Sequence, residues 1–598
     1  MDILPKCGDL ADTVANLWLI DARTRVFRRD IFGVQPRRVY FNRLKGAAKV
    51  KRLQMRFEIR QTLLAFALLV GLCACGKHSG EASARESGGP LKSRPHAGGQ
   101  LVFGFDGASN TQFALDPHNS AFAPHARIIR SIFDSLVVLL PGHQFGPWLA
   151  KSWEISGDGL SYTFHLRDDV KFHDGTRFDA AAVKYNLDRI KEPKNAFYGL
   201  SDIGPYESAK VIDDFTVQVQ FSRPYAAFLA NLSKPSLGMV SPAAAEKSGD
   251  GFRLLPVGTG PFKFKSITPG TEIALERNPD YRWGPAGALH GGPAWLEHLT
   301  FKNVPEEATR VAVLENGQAG AVDLIPPQNL VQLRASQKFR LVERELLNHN
   351  YSLYLNVLRA PWQDARVREA FKLSLDVEAA VKTIYLGTTA RAWAPLSPSI
   401  LGYDKSLEGS WKPDRAAANR ALDELGWKLG SDGVRVKDGR RLTVAFLDTQ
   451  GNREKRLDLI TIFRRQLRDT GFDLRVENVP MGSYLEKAGA GDFDLIAGSL
   501  FAPDPDVLRR IYASEKPSLL AVFKGVDPEL SRLLVAGSEA LRPEERVKLY
   551  AQAQRLIIDK TYSIPAYVLT YSVAAASNVQ GLAIDVHGFP VFNDAWLQ

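Results

Sequence analysis

The stretch from residue 147 to residue 190 constrains the fold most, because its pattern predicts two strands and a helix in close succession. Apolar and polar residues alternate over residues 161–166 (SYTFHL), which is the period of a half-buried strand. The turn signal GDG at residues 157–159 separates this strand from a second strand-like run, WEI, just before it. Asp179 then precedes apolar residues at helical spacing over residues 180–190 and is a suitable helix N-cap. A hairpin and a capped helix therefore form one compact unit.

The length of 598 residues and the mass of 66.1 kDa predict two or three domains rather than one. Hydrophobic residues make up 45% and charged residues 24%, an ordinary balance that excludes a disordered chain. Met1 to Ala74 contain 14 basic and 6 acidic residues, so +8 of the net charge of +10 lies there. The remainder carries only about +2, and the sequence therefore predicts no nucleic-acid partner.

The three cysteines, Cys7, Cys73 and Cys75, all lie in the first 75 residues. The rest of the chain can therefore form no disulfide, thiolate nucleophile or cysteine-based zinc site. Its histidines show no metal-binding spacing such as HExxH, and the sequence contains no GxSxG nucleophile motif. We expect no catalytic residue, no metal and no cofactor, and an exported hydrolase is the least favoured alternative.

Residues 55–75 have the three-part layout of a secretory signal peptide, with a basic start, an apolar run and a small-residue end. The apolar run of about ten residues is too short to span a bilayer. The ending LCAC also resembles a bacterial lipobox, which predicts lipidation of Cys75, with simple signal cleavage as the alternative. Residues 76–99 are rich in glycine, serine and charge and predict a flexible tether.

Residues 1–54 precede this signal and show no strong pattern. A signal peptide normally begins at the initiator, so Met55 predicts that residues 1–54 are an upstream extension created by a wrongly assigned start. A small basic DNA-binding module is the alternative. It is disfavoured because the segment is short and an export signal follows it.

Several motifs of the body follow the pattern of one protein family. The strings LAKSWEIS, SYTFHLR and VKFHDGT lie in the opening stretch, and VGTGPF (257–262) and NPDY (278–281) come later. With these motifs the chain resembles the family 5 extracytoplasmic solute-binding proteins, the dipeptide, oligopeptide and nickel group that serves ABC importers. The resemblance covers roughly residues 100–598. It implies an α/β, two-lobed periplasmic binding protein of type II, with an extra subdomain in the first lobe and a ligand cleft between the lobes.

The resemblance also implies the domain boundaries. It places the first part of the first lobe, with the extra subdomain, at residues 100–350, the second lobe at 351–563 and the return to the first lobe at 564–598. Residues 442–476 have the pattern strand, helix, strand, which predicts parallel pairing in the second lobe. The alternation over residues 211–221 (VIDDFTVQVQF) predicts a single strand.

The loop at residues 501–506 is where this chain departs from the peptide binders. In those members an aspartate just before a DP element holds the peptide's free amine, since a buried ammonium needs a paired carboxylate. The DP element here begins at Asp504, and Phe501 stands where that aspartate is expected. Asp504 substitutes only if the loop is shifted, and it is as readily a turn former. Sugars, opines and amide-capped ligands therefore stay open.

Three charged residues are further candidates for ligand binding. Arg453 and Arg456 lie near the position where dipeptide-binding members carry an arginine for the ligand carboxylate, a task that suits the two-pronged guanidinium. The alternative for both is a solvated helix surface. Asp106 follows the first strand of the body, in a loop that faces the ligand in the family. An ordinary polar loop is its alternative.

Tyr354 and Trp393 are candidates for an aromatic wall against which a ligand stacks, with core packing as the alternative. Asn356 ends the same predicted strand as Tyr354 and completes the set of candidate ligand-binding residues. The proline-punctuated loop that contains Trp393 is a usual wall of the cleft in the family.

The resemblance implies the substrate-binding component of an ABC importer, which captures a peptide or peptide-like solute in the periplasm by lobe closure. Its expected partners are this solute and a membrane permease with its ATPase subunits. We expect a monomer that meets the membrane only through a lipid on Cys75. The alternatives are binding of an oligosaccharide, an opine or a nickel complex, and a sensor or chaperone that does not serve transport.

Overall fold

Two mixed β-sheets divide the chain, and the first of them takes strands from both ends of the described sequence. The computed structural model describes residues 94–107, 114–119, 123–192, 199–449, 452–513, 523 and 525–598. Cys75, the predicted signal peptide at 55–75, the extension at 1–54 and nearly all of the predicted tether lie outside the described residues. The structure therefore bears on the body of the protein alone.

The first lobe begins with residues 94–345, which carry the first sheet and a smaller sheet beside it. The strands here are β1 (Gln100–Phe105), β2 (Val137–Leu140), β3 (Gln144–Pro147), β4 (Ala150–Ile155), β5 (Ser161–Leu166), β6 (Tyr206–Asp213), β7 (Thr216–Phe221), β8 (Phe262–Thr268), β9 (Glu272–Arg277), β10 (His298–Asn303), β11 (Ala321–Asp323) and β12 (Phe339–Glu345). The α-helices are α1 (Ala123–Ile132), α2 (Ala180–Lys191), α3 (Gly199–Asp202), α4 (Phe228–Leu232), α5 (Pro242–Ser248), α6 (Glu307–Glu315) and α7 (Pro327–Arg334).

The second lobe follows as one continuous segment. Its strands are β13 (Asn348–Leu355), β14 (Lys428–Leu429), β15 (Arg435–Lys437), β16 (Arg440–Arg441), β17 (Thr443–Thr449), β18 (Asp473–Val479), β19 (Leu495–Phe501) and β20 (Ser563–Tyr567). Its α-helices are α8 (Ala365–Leu373), α9 (Val377–Tyr385), α10 (Arg415–Glu424), α11 (Arg456–Arg468), α12 (Met481–Ala490), α13 (Val507–Tyr512), α14 (Pro528–Glu539) and α15 (Pro543–Asp559).

The chain then returns to the first lobe with β21 (Thr570–Ala576), β22 (Val579–Gln580), β23 (Ala583–Ile584), β24 (Pro590–Val591) and β25 (Trp596–Leu597). The first sheet has seven strands in the order β12-β21-β11-β1-β10-β9-β8, and the second has five in the order β18-β17-β19-β13-β20. The predicted boundaries assigned Asn348 and Ile564 to the first lobe, but both residues lie in strands of the second sheet. Their strands are assigned by pairing partners that are distant in sequence, which a local pattern cannot reveal.

Two short crossings connect the lobes. The first joins β12 to β13 and the second joins β20 to β21, and they touch where the Leu346 amide donates a hydrogen bond to the Leu569 carbonyl, 2.9 Å away. Strand β21 then pairs antiparallel with β12 along its whole length, from Thr570 opposite Glu345 to Ala576 opposite Phe339. Both crossings are therefore anchored in the same part of the first sheet.

The predicted hairpin and helix are confirmed. Strands β4 and β5 pair antiparallel, with Trp153 opposite Phe164, in the four-stranded sheet β4-β5-β7-β6 of the subdomain. The Asp179 carboxylate accepts a hydrogen bond from the Ala182 amide at 2.9 Å and so caps α2. His173 also binds the later GTG turn, with its ring 2.9 Å from the Gly260 carbonyl oxygen.

The single strand predicted over residues 211–221 is wrong. The structure divides it between β6 and β7, which pair as a hairpin with Val211 opposite Val217. The Asp213 carboxylate accepts a hydrogen bond from the Phe215 amide at 2.8 Å, and this local bond closes the turn. The alternation of apolar residues continued across the turn and hid it.

The strand-helix-strand unit predicted in the second lobe is confirmed. Strands β17 and β18 pair parallel, from Thr443 opposite Asp473 to Thr449 opposite Val479, and α11 connects them. Strand β19 is also parallel to β17, so the carboxyl ends of three strands lie along one edge of the second sheet.

Replacing Asp179 with alanine removes the cap of α2 and is expected to lower the free energy of unfolding by about 1 kcal/mol. Thermal unfolding followed by circular dichroism measures the loss. Asp179→Asn is the matched control, because its side-chain oxygen still accepts from the Ala182 amide. Equal melting temperatures for the alanine variant and the parent would contradict a capping role.

Acid is expected to destabilise the protein partly through His349. Burial lowers the pKa of this fully enclosed histidine from 6.5 to about 4. Between pH 6.5 and about pH 4, His349 is therefore protonated in the unfolded chain but neutral in the folded chain. The free energy of unfolding falls as the pH drops through that window.

In denaturant titrations between pH 7 and pH 4.5, His349→Gln should flatten this decline by up to about 1.4 kcal/mol per pH unit. His165→Gln is the control, since the His165 side chain is 41% exposed. Parallel stability curves for the parent and the His349 variant would exclude this source of acid sensitivity.

Candidate functional site

The carboxyl edge of the second sheet is the candidate site. Ligands of open α/β sheets bind outside the carboxyl ends of the strands, where the connections diverge. Along β19 the buried residues Leu495, Ile496 and Ala497 give way to half-buried Gly498 and exposed Leu500. A Cβ atom added to Gly498 would meet no atom within 4 Å. This edge therefore faces open space.

The turn that leads into α11 has an energetically unfavourable backbone conformation. Glu454 and Lys455 are consecutive non-glycine residues with φ angles of 56° and 59°, in the left-handed region that L-residues disfavour. Two tyrosines hold the turn: the Tyr385 hydroxyl donates to the Glu454 carbonyl at 2.6 Å, and the Tyr567 hydroxyl donates to its carboxylate at 3.2 Å. The turn presents Arg456 at the first position of α11.

Three tyrosine rings form a stack beneath this turn. Tyr351 and Tyr567 lie nearly parallel with ring centroids 4.7 Å apart, and Tyr385 contacts Tyr567 at 4.8 Å. Tyr351 is 1% exposed, and its hydroxyl has no hydrogen-bond partner in the described part of the chain. Asp448, the next-to-last residue of β17, is 3% exposed and likewise keeps one carboxylate oxygen unpartnered there.

Charges of both signs meet at this edge. Burial raises the pKa of Asp448, and the positive charge of Arg456 opposes that rise. Burial disfavours the charge of Arg456, but the nearby Glu454, Tyr351, Tyr567 and Asp448 outweigh it and raise the pKa of Arg456. The site can therefore hold an anionic group at the guanidinium and a cationic donor at the carboxylate.

The first lobe opposes this edge with a buried ion pair. Arg127 donates to Asp323 at 2.6 Å, the Tyr571 hydroxyl donates to the same carboxylate oxygen at 2.8 Å, and the guanidinium lies over the Tyr571 ring. Burial opposes the charge of Arg127, yet its pKa is raised by Asp323, Tyr571, Asp106 and, from the second lobe, Glu454. Charged groups of the two lobes therefore face one another.

Three ion pairs join the lobes directly within the described residues: Lys455–Glu307, Arg510–Asp202 and Arg223–Glu539. The Lys455 ammonium lies 2.6 Å from the Glu307 carboxylate at the start of α6, and the side chains are 27% and 31% exposed. Lys455 belongs to the left-handed turn next to Arg456. The turn that presents Arg456 thus also forms one of the ion pairs between the lobes.

Three of the predicted site residues are buried and already bonded. Tyr354 is 2% exposed, packs in the core and bonds His349 through its hydroxyl at 3.0 Å. The Asn356 amide donates to the carbonyls of Gly491 and Phe493. Asp504 forms two hydrogen bonds, of 2.6 and 3.0 Å, to the buried Arg546. Each of these side chains serves the interior of the second lobe.

The other predicted residues lie in different surroundings. Asp106 is half-buried and belongs to the group of charges around Arg127. The Trp393 ring stacks on the Arg391 guanidinium at 4.6 Å. The half-buried Phe501 ring contacts Phe589 of the returning segment at 5.0 Å, so it lies between the lobes.

Arg453 begins the turn before α11, and Arg456 follows it. The structure describes only the backbone of Arg453. The structure thus brings together Asp106, the turn with Arg456, and the first-lobe charges. Phe501 also lies between the lobes, at the end of β19, whereas Tyr354, Asn356 and Asp504 point into the core.

Sequence reasoning missed Asp448, Tyr351, Glu454, Lys455 and Arg127. Asp448 had a usable signal, since it is the first charged residue after the apolar strand that begins at residue 443. The other four had none, because their roles depend on contacts between segments far apart in the chain.

The described residues contain no group of three or more histidine, cysteine, aspartate or glutamate side chains placed to hold a metal ion. Within the same residues, no helix is both long enough and apolar enough to cross a membrane.

Comparison with known proteins identifies relatives over most of the chain. The family model of the bacterial extracellular solute-binding proteins, family 5 (middle part), matches residues 144–518. The glutathione-binding protein GsiB of Salmonella paratyphi A is 27% identical over 507 residues, covering 81% of this chain and 92% of that protein. GsiB of Pectobacterium atrosepticum is 32% identical over 321 residues, covering 54% of this chain and 60% of the other.

Solved structures of the same architecture are also similar. The periplasmic binding protein DppA of Helicobacter pylori, in complex with the peptide STSA, has a TM-score of 0.70 and 25% identity over 84% of this chain and 99% of its own. NikA of Brucella suis, in complex with Fe(III)-EDTA, has a TM-score of 0.73 and 25% identity over 83% of this chain and 100% of its own. The predicted resemblance and the two-lobed α/β fold are confirmed, and the chain belongs to the bacterial extracellular solute-binding proteins of family 5.

Proposed function

We propose that this protein is the substrate-binding component of an ABC importer and that it captures a peptide or peptide-like solute between its lobes. The observation that carries the proposal is the edge of the second sheet, where Asp448, Arg456 and the tyrosine stack face the Arg127–Asp323 pair of the first lobe. The lobes close on the solute about the two crossings. The closed protein then delivers it to a membrane permease with its ATPase subunits.

A peptide-like ligand suits the charges better than the alternatives do. A peptide carries hydrogen-bond donors, acceptors and ends of both charges, and the edge offers partners for each. The GsiB relatives are glutathione-binding proteins, and the DppA structure holds a peptide. A sugar carries no charge for a buried carboxylate to pair with, and the described residues contain no cluster of three or more side chains placed to hold a metal ion such as nickel.

Capture requires no covalent chemistry, so the proposed role is binding alone. We place the protein in the periplasm as a monomer, with Cys75 lipidated and held to the membrane by that lipid. The lobe boundaries are proposed at the crossings 346–347 and 568–569. Burial of a small ligand between two lobes is sufficient for tight binding without a large interface.

Arg456→Gln tests the ligand site. Loss of a charged hydrogen-bond donor to the ligand carboxylate should weaken binding of glutathione or trialanine at least about tenfold in isothermal titration calorimetry. Arg464→Gln is the control, because Arg464 lies exposed on the same helix. Unchanged affinity in the Arg456 variant would remove this residue from the site, and failure of the parent to bind either probe would contradict a peptide-like ligand.

Charge reversal tests the contact between the lobes. Lys455→Glu should repel Glu307, favour the open form and weaken the same probes about fivefold, the scale of a partly exposed ion pair. Small-angle scattering of the liganded protein should show a larger radius of gyration than the parent. The double variant Lys455→Glu with Glu307→Lys should restore both values.

The matched control for this experiment is Asp469→Lys, which breaks the exposed pair with Arg415 inside the second lobe. It should leave the affinity and the scattering curve unchanged. A double variant no better than Lys455→Glu alone would show that the contact does not govern closure.

A further inference from the structure

Asp448 is a buried carboxylate that the protein itself only half satisfies. One oxygen accepts a hydrogen bond from the Thr449 amide at 2.8 Å, and the other has no partner within the described residues. The side chain lies on the same strand face as Val444 and Phe446, which are fully buried. A carboxylate thus continues a row of apolar core residues to the end of the strand.

Asp494, near the amino end of the neighbouring strand, shows how the same sheet treats a structural aspartate. Its two oxygens are both used, one by the Ala445 amide at 2.8 Å and the other by Arg359 at 3.4 Å. Leaving a buried charged oxygen unpaired costs free energy, which the interior of a protein normally avoids. The contrast between the two aspartates indicates that the open oxygen of Asp448 has a use outside the fold.

Tyr351 supplies a second open polar atom in the same place. Its hydroxyl is enclosed and lacks a partner among the described residues, while its ring is fixed against Tyr567. Asp448 and Arg456 both act on the pKa of Tyr351, although β19 lies between the strands of Asp448 and Tyr351 in the sheet order β17-β19-β13. A carboxylate oxygen and a hydroxyl, both enclosed, thus lack partners among the described residues on two strands that flank β19.

Asp448 and Tyr351 flank the end of β19 at the candidate site, and both open atoms are enclosed in this structure. The nearest strand, β19, leaves room beside Gly498, and Arg456 approaches from the start of α11 without bonding the open oxygen. A positively charged N–H donor is the partner that a buried carboxylate binds most strongly. A neutral donor would satisfy the open oxygen but would add no charge to balance the buried carboxylate.

We propose that the open oxygen of Asp448 is the receptor for a ligand ammonium group and that the Tyr351 hydroxyl is a second acceptor for it. The inference rests on the proposed function and adds to it the chemical class of the ligand, a solute with a free primary amine. The receptor lies on β17, a different strand from the one that leads into the loop 501–506. The loop's own carboxylate at Asp504 is occupied by Arg546.

Isothermal titration calorimetry with four probes tests the proposal: trialanine, glutathione and the N-acetylated form of each. Asp448→Asn keeps the shape of the side chain and removes its charge, so it should weaken the two free-amine probes at least about tenfold. The acetylated probes should bind weakly and equally to parent and variant. Tyr351→Phe should weaken the free-amine probes by a smaller factor.

Thermal unfolding without ligand separates a binding role from a structural one. Asp448→Asn should melt no lower than the parent, because it removes a buried charge from a side chain with one oxygen that has no hydrogen-bond partner in the described residues. The control Asp494→Asn should melt lower and bind the probes with the parent's affinity, since Asp494 lies away from the open edge.

Equal affinity of parent and Asp448→Asn for a free-amine probe overturns the inference and leaves the proposed function standing. A lower melting temperature with unchanged affinity overturns it in favour of a structural role. If the parent binds none of the four probes, the peptide-like ligand itself is refuted, and the amine receptor with it.

Discussion

The hydrogen bond between Leu346 and Leu569 is the constraint on which the arrangement of this protein depends. It joins the only two crossings between the lobes in the described residues, and both continue at once into strands of the two sheets. Because β21 is inserted between β12 and β11, the second crossing is held by hydrogen bonds on both sides. A shift of one lobe along the other would therefore break hydrogen bonds of the first sheet, which a rotation about this point would leave intact.

The turn before α11 connects one contact between the lobes to the charged edge of the second sheet. Its two left-handed residues direct neighbouring side chains to different tasks, with Lys455 reaching Glu307 of the first lobe and Arg456 entering the charged edge. Such a backbone persists only where its surroundings impose it, and here two tyrosine hydroxyls do so through Glu454. Under the proposed function, a ligand that contacts Arg456 acts on the same short segment that forms one of the ion pairs between the lobes.

Local sequence patterns correctly predicted the elements that are determined by contacts between residues close in sequence. The hairpin, the Asp179 cap and the β17-α11-β18 unit all depend on residues within a few positions of one another or on a clear period. The prediction missed the end of β6, because a single hydrogen bond to the Asp213 side chain closes the turn there while the alternation of apolar residues continues.

Long-range pairing explains what the sequence left undetermined. The polar start of β13 resembles a loop, yet it is buried because Asn350 bonds the carbonyls of Ala394 and Leu396. Likewise, nothing near Asp504 shows that Arg546 neutralises it, so its value as a ligand-binding residue could not be judged without the fold.

The different surroundings of Asp504 and Asp448 bear on where an amine-bearing ligand can be held. An aspartate already bonded twice to a buried arginine can release its carboxylate only at the cost of leaving that arginine unpaired. Asp448 carries no such cost, since its open oxygen gains a partner and loses none. The substitution of phenylalanine at 501 is then consistent with a charged ligand: the loop supplies an apolar contact to the first lobe, and the charge recognition moves to the adjacent parallel strand.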